Sequence, residues 1–430
     1  MQGMARPSVH LDYPVHERTL DNGLRVVVSP DPATPSVAVN IWYDVGSRHE
    51  VSRRTGFAHL FEHLMFQGSA HVEPAQHIAI LEAAGARANA TTSFDRTNYY
   101  ESGPAGLLDL ALWLEADRLG TLPTALDQAN LDNQREVVKE EKRQRYDNVP
   151  YGDTLQHLLA LAFPAGHPYS HPTIGSMEDL DAASLDDVRT FFETHYMPNN
   201  AVLTIVGDVT PDQAWARAER YFSPIAARTQ PPRRTTPPLP ALTGSPRTEL
   251  EQPVPSDAVY LCWRLPAMDS RAYDALRLAF DVLGDGQTSR LYRALVRDSD
   301  LAESADSGTL GLIDGTSLGF VVARARDETT AEQLEAALRE HVALFLAEGP
   351  TADELTRARA QHERVTLQNL AALANRADLL SGYTVLCDNP ELVNQRLAQV
   401  LGLTDTDVVL TSQYLLRLEN CATLVYHSTL

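Results

Sequence analysis

Two hydrophobic periods alternate along the chain. In SVAVNIWYDVGS, residues 36–47, Val37, Val39, Ile41 and Tyr43 recur at every second position, which predicts a strand with one face against a core. The stretch RRTGFAHLFEHLMFQG, residues 53–68, changes period. Phe57, Leu60, Phe61 and Leu64 share one arc at about 100° per residue, which predicts an amphipathic helix closing at a glycine. The segment ARANATTSFDRTNYYES reads as a hairpin.

The same order of patterns returns in the second half. DAVYLCWRLP (257–266) and RAYDALRLAFDVLGDG (271–286) repeat the strand and helix. NLDNQREVVKEEKRQ has a counterpart in DELTRARAQHERVTLQ, and SLDDVRTFFETHYMPNNAVLTIVGDV has one in TDTDVVLTSQYLLRLENCATLVYHS. An internal duplication accounts for this most simply. Between the halves, residues 223–256 carry prolines at 224, 231, 232, 237, 238, 240, 246, 253 and 255, a density that continues neither helices nor central strands. The expectation is an α+β protein of two homologous αβ-sandwich domains, each a mixed or antiparallel sheet with helices packed on it. Their expected limits are 1–223 and 257–430, with a Pro-rich linker at 224–256.

Composition narrows the partners. Among 430 residues, 57 are acidic and 36 basic, for a net charge of −21. Nucleic acid and anionic membranes need a cationic footprint, so neither is expected as a partner. No apolar run approaches the roughly 18 residues that span a bilayer, and the first 20 residues lack the apolar segment of a secretory signal. Three scattered cysteines, Cys262, Cys387 and Cys421, make no disulfide framework. A reduced, cytoplasmic protein is the expectation.

The chemistry concentrates in His59-Leu60-Phe61-Glu62-His63. On a helix, His59 and His63 stand about 40° apart on the flank of the apolar arc, one turn from each other. Two imidazoles so placed can share one metal ion, and Glu62 beside them can reach metal-bound water without being a ligand. This is the inverted zincin motif. A third ligand is sought in Gln134–Arg143, QREVVKEEKR. Glu141 is i+4 from Val137 and i+3 from Val138, so it is expected to project inward between them, whereas Glu140 points away. A carboxylate aimed inward needs a partner, and a divalent ion is one. The second half has Arg277, Phe280 and Asp281 where the repeat would put His59, Glu62 and His63, so one metal per chain is expected.

These residues resemble the pitrilysin-type metallopeptidases, in particular the two-domain class that includes mitochondrial processing peptidase and its bacterial relatives. The resemblance covers nearly the whole chain. It implies one zinc ion held by His59, His63 and Glu141, with Glu62 as general base. It further implies that Asn89-Ala90-Thr91-Thr92 lie on a sheet edge that pairs with an extended substrate peptide. Gln134 stands where many relatives carry a second glutamate, and its amide can still reach the outer side of the ligand set. Arg297 matches the arginine of an arginine–tyrosine pair, with Ser304 in the tyrosine's place. The activity implied is cleavage of unfolded or extended peptides inside a closed chamber. The chamber is made by a dimer, either of like chains or with a related chain lacking the metal motif. Two rivals are a lyase sharing the inverted motif, which would use a cysteine as third ligand, and a non-catalytic structural or assembly subunit of the same descent.

Overall fold

The computed structural model describes residues 10–229, 236–326 and 328–430. Two sheets are built on one plan. The first holds β1 (His16–Thr19), β2 (Arg25–Pro30), β3 (Ser36–Tyr43), β4 (Arg87–Thr92), β5 (Thr97–Pro104) and β6 (Ala201–Gly207), in the order β1-β2-β6-β3-β5-β4. The second holds β7 (Arg247–Gln252), β8 (Ala258–Pro266), β9 (Ala302–Leu310), β10 (Thr316–Ala325) and β11 (Ala422–Ser428), in the order β7-β11-β8-β10-β9. Without β1 the two orders coincide. So do the directions: β2 with β6 and β7 with β11 are the parallel pairs, and the other ladders are antiparallel. The duplication is therefore written into the topology, and the class is α+β with mixed sheets.

The alternation in β3 is real but tells half the story. Every residue from Val37 to Tyr43 is buried, because both faces of the strand are covered. Tyr43 packs against Tyr99 and Tyr196 on one face. The other face is covered by the Leu373–Cys387 helix, whose Ala377 and Leu380 join Val27, Ala38, Val202 and Val206 in one core. Each fully buried Val or Leu there contributes about 1.5–3 kcal/mol relative to exposure. Trp42 fits under that helix because Gly382 leaves room: a Cβ there would come within 3.1 Å of the indole.

The chain divides into two compact units, though not at the proline-rich segment. Among the described residues one unit takes 10–142, 172–229 and 365–398, and the other takes 143–171, 236–326, 328–364 and 399–430. Each unit borrows a stretch from the half assigned by sequence to the other. The expected boundaries 1–223 and 257–430 are corrected accordingly. The expected linker 224–256 also contains β7, an edge strand whose Arg247–Gln252 backbone runs parallel to β11. Its alternation is exposed/half-buried, and its polar sequence RTELEQ hides it from a search for apolar periodicity. Residues 230–235 of that segment lie outside the described ones. No helix among the described residues is long and apolar enough to cross a membrane.

Candidate metal centre

The predicted amphipathic helix forms as α1 (Phe57–Leu64), with Phe57, Ala58, Leu60, Phe61 and Leu64 buried. Its start is fixed by Gly56, whose φ of +89° suits glycine and whose missing Cβ would lie 2.8 Å from the Ile174 carbonyl oxygen. The Glu50 carboxylate takes up orphan N–H groups of the first turn, accepting from Gly56 at 2.9 Å and Ala58 at 2.8 Å. Burial pushes this carboxyl up to about 8, against the pull of those two N–H groups. The register of α1 then brings His59 and His63 together, their ring centroids 4.8 Å apart.

The second helix of the site follows α2 (Gln76–Ala83) and α3 (Leu108–Ala125) in the chain and is α4 (Gln128–Lys142), which packs on α1. Arg135 fixes its rotation by donating to the carbonyls of Leu180 at 2.8 Å and Ala183 at 2.7 Å. Leu131, Gln134 and Val138 are its buried residues. Glu141 continues that face, three residues past Val138, and is half-buried, whereas Glu140 is exposed. One part of the wheel argument needs correction: Val137 is 43% exposed, so Glu141 follows the Gln134–Val138 stripe rather than projecting between two buried valines.

One Glu141 oxygen, Oε2, lies 3.3 Å from His63 Nε2 and 3.7 Å from His59 Nε2. Tetrahedral zinc bonds of about 2.1 Å put neighbouring ligand atoms about 3.4 Å apart. The three side chains therefore fit a zinc ion with two nitrogens and one oxygen, leaving a fourth direction open. The Gln134 side chain is buried two turns before Glu141 on the same face.

Glu62 sits between the histidines without joining the triad. Thr92 Oγ1 donates to its Oε2 at 2.5 Å. Burial raises its carboxyl above the usual range, opposed by the Thr92 bond and by the charges of His63 and Arg96. Thr92 ends β4, the edge strand of its sheet. Strand alternation sends Thr92 toward α1 and Thr91 to the other face, where Thr91 Oγ1 donates to Asn98 Oδ1 at 2.6 Å. Ala90 shares the Thr92 side and is buried, while Asn89 Oδ1 accepts from the Ala90 amide at 2.9 Å. Four residues taken together from sequence thus divide into two pairs.

Several features were illegible in sequence. His77 is buried in a group with Glu101, Glu115 and Arg118. Arg118 Nε donates to Glu115 Oε2 at 3.0 Å, and its guanidinium lies 4.2 Å from the Tyr99 ring centroid. Burial and the neighbouring Glu115 raise the Glu101 carboxyl well above its ordinary range. Burial works against the charge on Glu115 as well, but Arg118 together with the bonds from Glu101 and His77 outweighs it and holds that carboxyl low. The members of this group come from α2, β5 and α3, so only the tertiary fold reveals it. In the second unit, Arg297 is the last residue but one of the helical segment Tyr292–Asp298 and pairs with Asp298 at 2.9 Å. Ser304 lies on β9 opposite Arg324 of β10. The Arg271–Gly284 helix holds Phe280 buried against Trp263, and burial pushes Asp281 up to about 6.

Residues 25–176 match the sequence profile described as insulinase (peptidase family M16), and residues 182–362 match the one described as peptidase M16 inactive domain. The zinc protease PqqE of Helicobacter pylori is 31% identical over 406 residues, covering 92% of this chain and 89% of that protein. The chain belongs to peptidase family M16. The mitochondrial-processing peptidase subunit beta of Lentinula edodes is 26% identical over 356 residues, 80% of this chain and 75% of that one. A crystal structure of a protease from Helicobacter pylori superposes with a TM-score of 0.90 at 28% identity, covering 96% of this chain and 99% of that one. The M16 inactive domain structure from Pseudomonas fluorescens, with a TM-score of 0.86 at 18% identity, shares the fold.

Proposed function

We infer that this M16 chain is a zinc-dependent endopeptidase, or the catalytic subunit of one, acting on unfolded or extended peptides. One observation carries the reading: His59, His63 and Glu141 converge beside a Glu62 that is seated by Thr92 at the end of an edge strand. When bound, a zinc ion supplies a Lewis acid that brings the pKa of water toward neutrality and polarises a carbonyl. His59, His63 and Glu141 would hold it, and Gln134 would support the ligand set from behind. Glu62 takes the proton from the attacking water and later delivers it to the leaving amine. The Thr92 hydroxyl fixes which Glu62 oxygen faces the reaction. The outer edge of β4, at Asn89–Thr92, takes up the substrate main chain as an added strand.

The active form would be a dimer, with itself or with a related chain lacking the metal motif. The profile matched by residues 182–362 is named for inactivity, which fits a second half without a counterpart of the triad among its described residues. That leaves the first half to carry the chemistry.

Bound metal and cleavage of an unstructured peptide library test the reading, with Glu62→Gln as the control. The parent should hold one zinc per chain and cleave. Glu62→Gln should keep its zinc and lose activity by roughly a hundredfold or more, the usual contribution of a positioned general base. A zinc-loaded parent that cleaves no peptide, alone or with a related chain, would favour the structural-subunit alternative.

A further inference from the structure

On the face of the first sheet away from the metal triad lies a partly buried chain of polar side chains that the hydrolytic chemistry does not use. It begins at Asp378 on the Leu373–Cys387 helix. One oxygen of Asp378, Oδ1, accepts from Trp42 Nε1 at 2.9 Å, Asn98 Nδ2 at 3.0 Å and Asn40 Nδ2 at 3.3 Å. A carboxylate only accepts, so the Asn98 NH2 must face it. The Asn98 oxygen is thereby turned the other way, where it accepts from Thr91 Oγ1 at 2.6 Å and Arg96 Nη1 at 3.1 Å. Arg96 Nη1 also donates to the Thr91 carbonyl at 2.7 Å, and its guanidinium lies 5.1 Å from the Trp42 ring centroid. Thr91 is therefore held at both its main chain and its side chain. The next residue is Thr92, the donor to Glu62.

We propose that Asp378 is a positioning residue for the hydrolytic site: through Asn98 and Arg96 it holds Thr91, and with it the Thr92 hydroxyl that orients Glu62. The inference rests on the peptidase reading of Glu62. Its physical content is the direction of one amide. Asn98 Nδ2 also donates to Asn40 Oδ1 at 3.2 Å, and Asn40 is itself turned by its Nδ2 bond to Asp378. Without an acceptor at Asp378 the two amides can turn over together, and Asn98 then presents NH2 to Arg96 and to the Thr91 hydroxyl. Arg96 only donates and the Thr91 hydroxyl loses the oxygen it donates to, so the Thr91 side chain and Arg96 lose their shared anchor and the hold on Thr91 is weakened. The end of β4 then gains freedom at the strand edge.

Asp378→Ala and Asp378→Asn, each loaded with zinc, provide the test. Asparagine keeps an acceptor oxygen for Trp42 and Asn98, and alanine does not. Three quantities are read: bound zinc, amide hydrogen exchange over residues 87–92 without substrate, and kcat and KM on one extended peptide. Asp378→Ala should keep its zinc, exchange faster across 87–92, and lose kcat by about tenfold to a hundredfold with KM little changed. Asp378→Asn should restore most of both. Should Asp378→Ala fail to fold, Arg96→Lys carries the same expectation, since one ammonium cannot reproduce the guanidinium's hold on Thr91 from above the Trp42 ring. Unchanged exchange across 87–92, or equal kcat losses in the alanine and asparagine variants, would overturn the proposal. Faster exchange in a chain whose parent cleaves nothing would support the hold on Thr92 and overturn the peptidase reading instead.

Discussion

Glu140 and Glu141 are neighbours in the chain, yet one is exposed and the other lies within 3.7 Å of two imidazoles. Elemental analysis of Glu140→Gln and Glu141→Gln should separate them. Glu141→Gln should lose zinc affinity by more than the roughly 10–100-fold that removal of an outer-shell partner brings. Glu140→Gln should retain the metal. The opposite result would mean that α4 is rotated by about 100°, one residue, from the register described. Local periodicity made this residue legible, because a ligand on a helix shares its face with residues three and seven positions away. Gln134 and Val138 marked that face correctly, and Val137 did not. Thr92 was read as part of a substrate edge. Its bond to Glu62 joins residues 30 apart in sequence, and no local period encodes such a contact. The same holds for the group of His77, Glu101, Glu115 and Arg118, whose members come from α2, β5 and α3.

At the scale of elements, the repeated strand and helix patterns were enough to expose the duplication, because β3 and β8 are apolar runs buried in their sheets and each is followed by a helix with a buried apolar face. β7 escaped because it is a polar edge strand, where alternation is weak. Helix ends are more informative than strand edges, and one of them yields a pH prediction. The Ala352–Ala371 helix begins at Thr351 with a reciprocal cap: Glu354 N donates to Thr351 Oγ1 at 3.2 Å, and Thr351 N donates to Glu354 Oε2 at 2.8 Å. Arg290 adds two bonds to the same carboxylate, at 2.9 and 2.8 Å. Burial would raise the Glu354 pKa, but the Arg290 and Thr351 bonds outweigh it and bring it down to about 2. A carboxyl depressed on folding adds stability that is complete above its unfolded pKa and is lost as the pH falls toward the folded one. Glu354→Gln should therefore melt below the parent at pH 7. The gap should close as the pH falls from about 4.5 to about 2. Both chains share the same metal centre, so its protonation largely cancels in the difference. Melting temperatures at pH 7, 5, 4 and 3 check it, and a gap that stays constant would remove Glu354 from the account.

At the scale of the whole molecule, proline density misled for a physical reason. It reports where the chain cannot be regular, and says nothing of which packed unit a later segment joins. The first unit includes 365–398, and the second includes 143–171. The consequence is testable by cutting the chain within 230–235. The fragment ending there lacks the Leu373–Cys387 helix, so Ala38, Val202 and Val206 of its sheet lose their cover. It also loses Asp378, the acceptor for the buried Trp42, Asn40 and Asn98 donors. Each of these hydrogen bonds contributes about 0.5–1.5 kcal/mol net and each apolar side chain returned to water takes away about 1.5–3 kcal/mol, together a large share of the roughly 5–15 kcal/mol that holds a typical domain. The complementary fragment lacks residues 154–162, α5, which pack on β8 and β11. Neither fragment should fold when produced alone. Produced together, they should recover each other's missing segments and co-purify with zinc bound. Two separately folded, monomeric fragments with cooperative melting would show that the exchanged segments are dispensable. In that case the linker at 224–256 would be a true domain boundary.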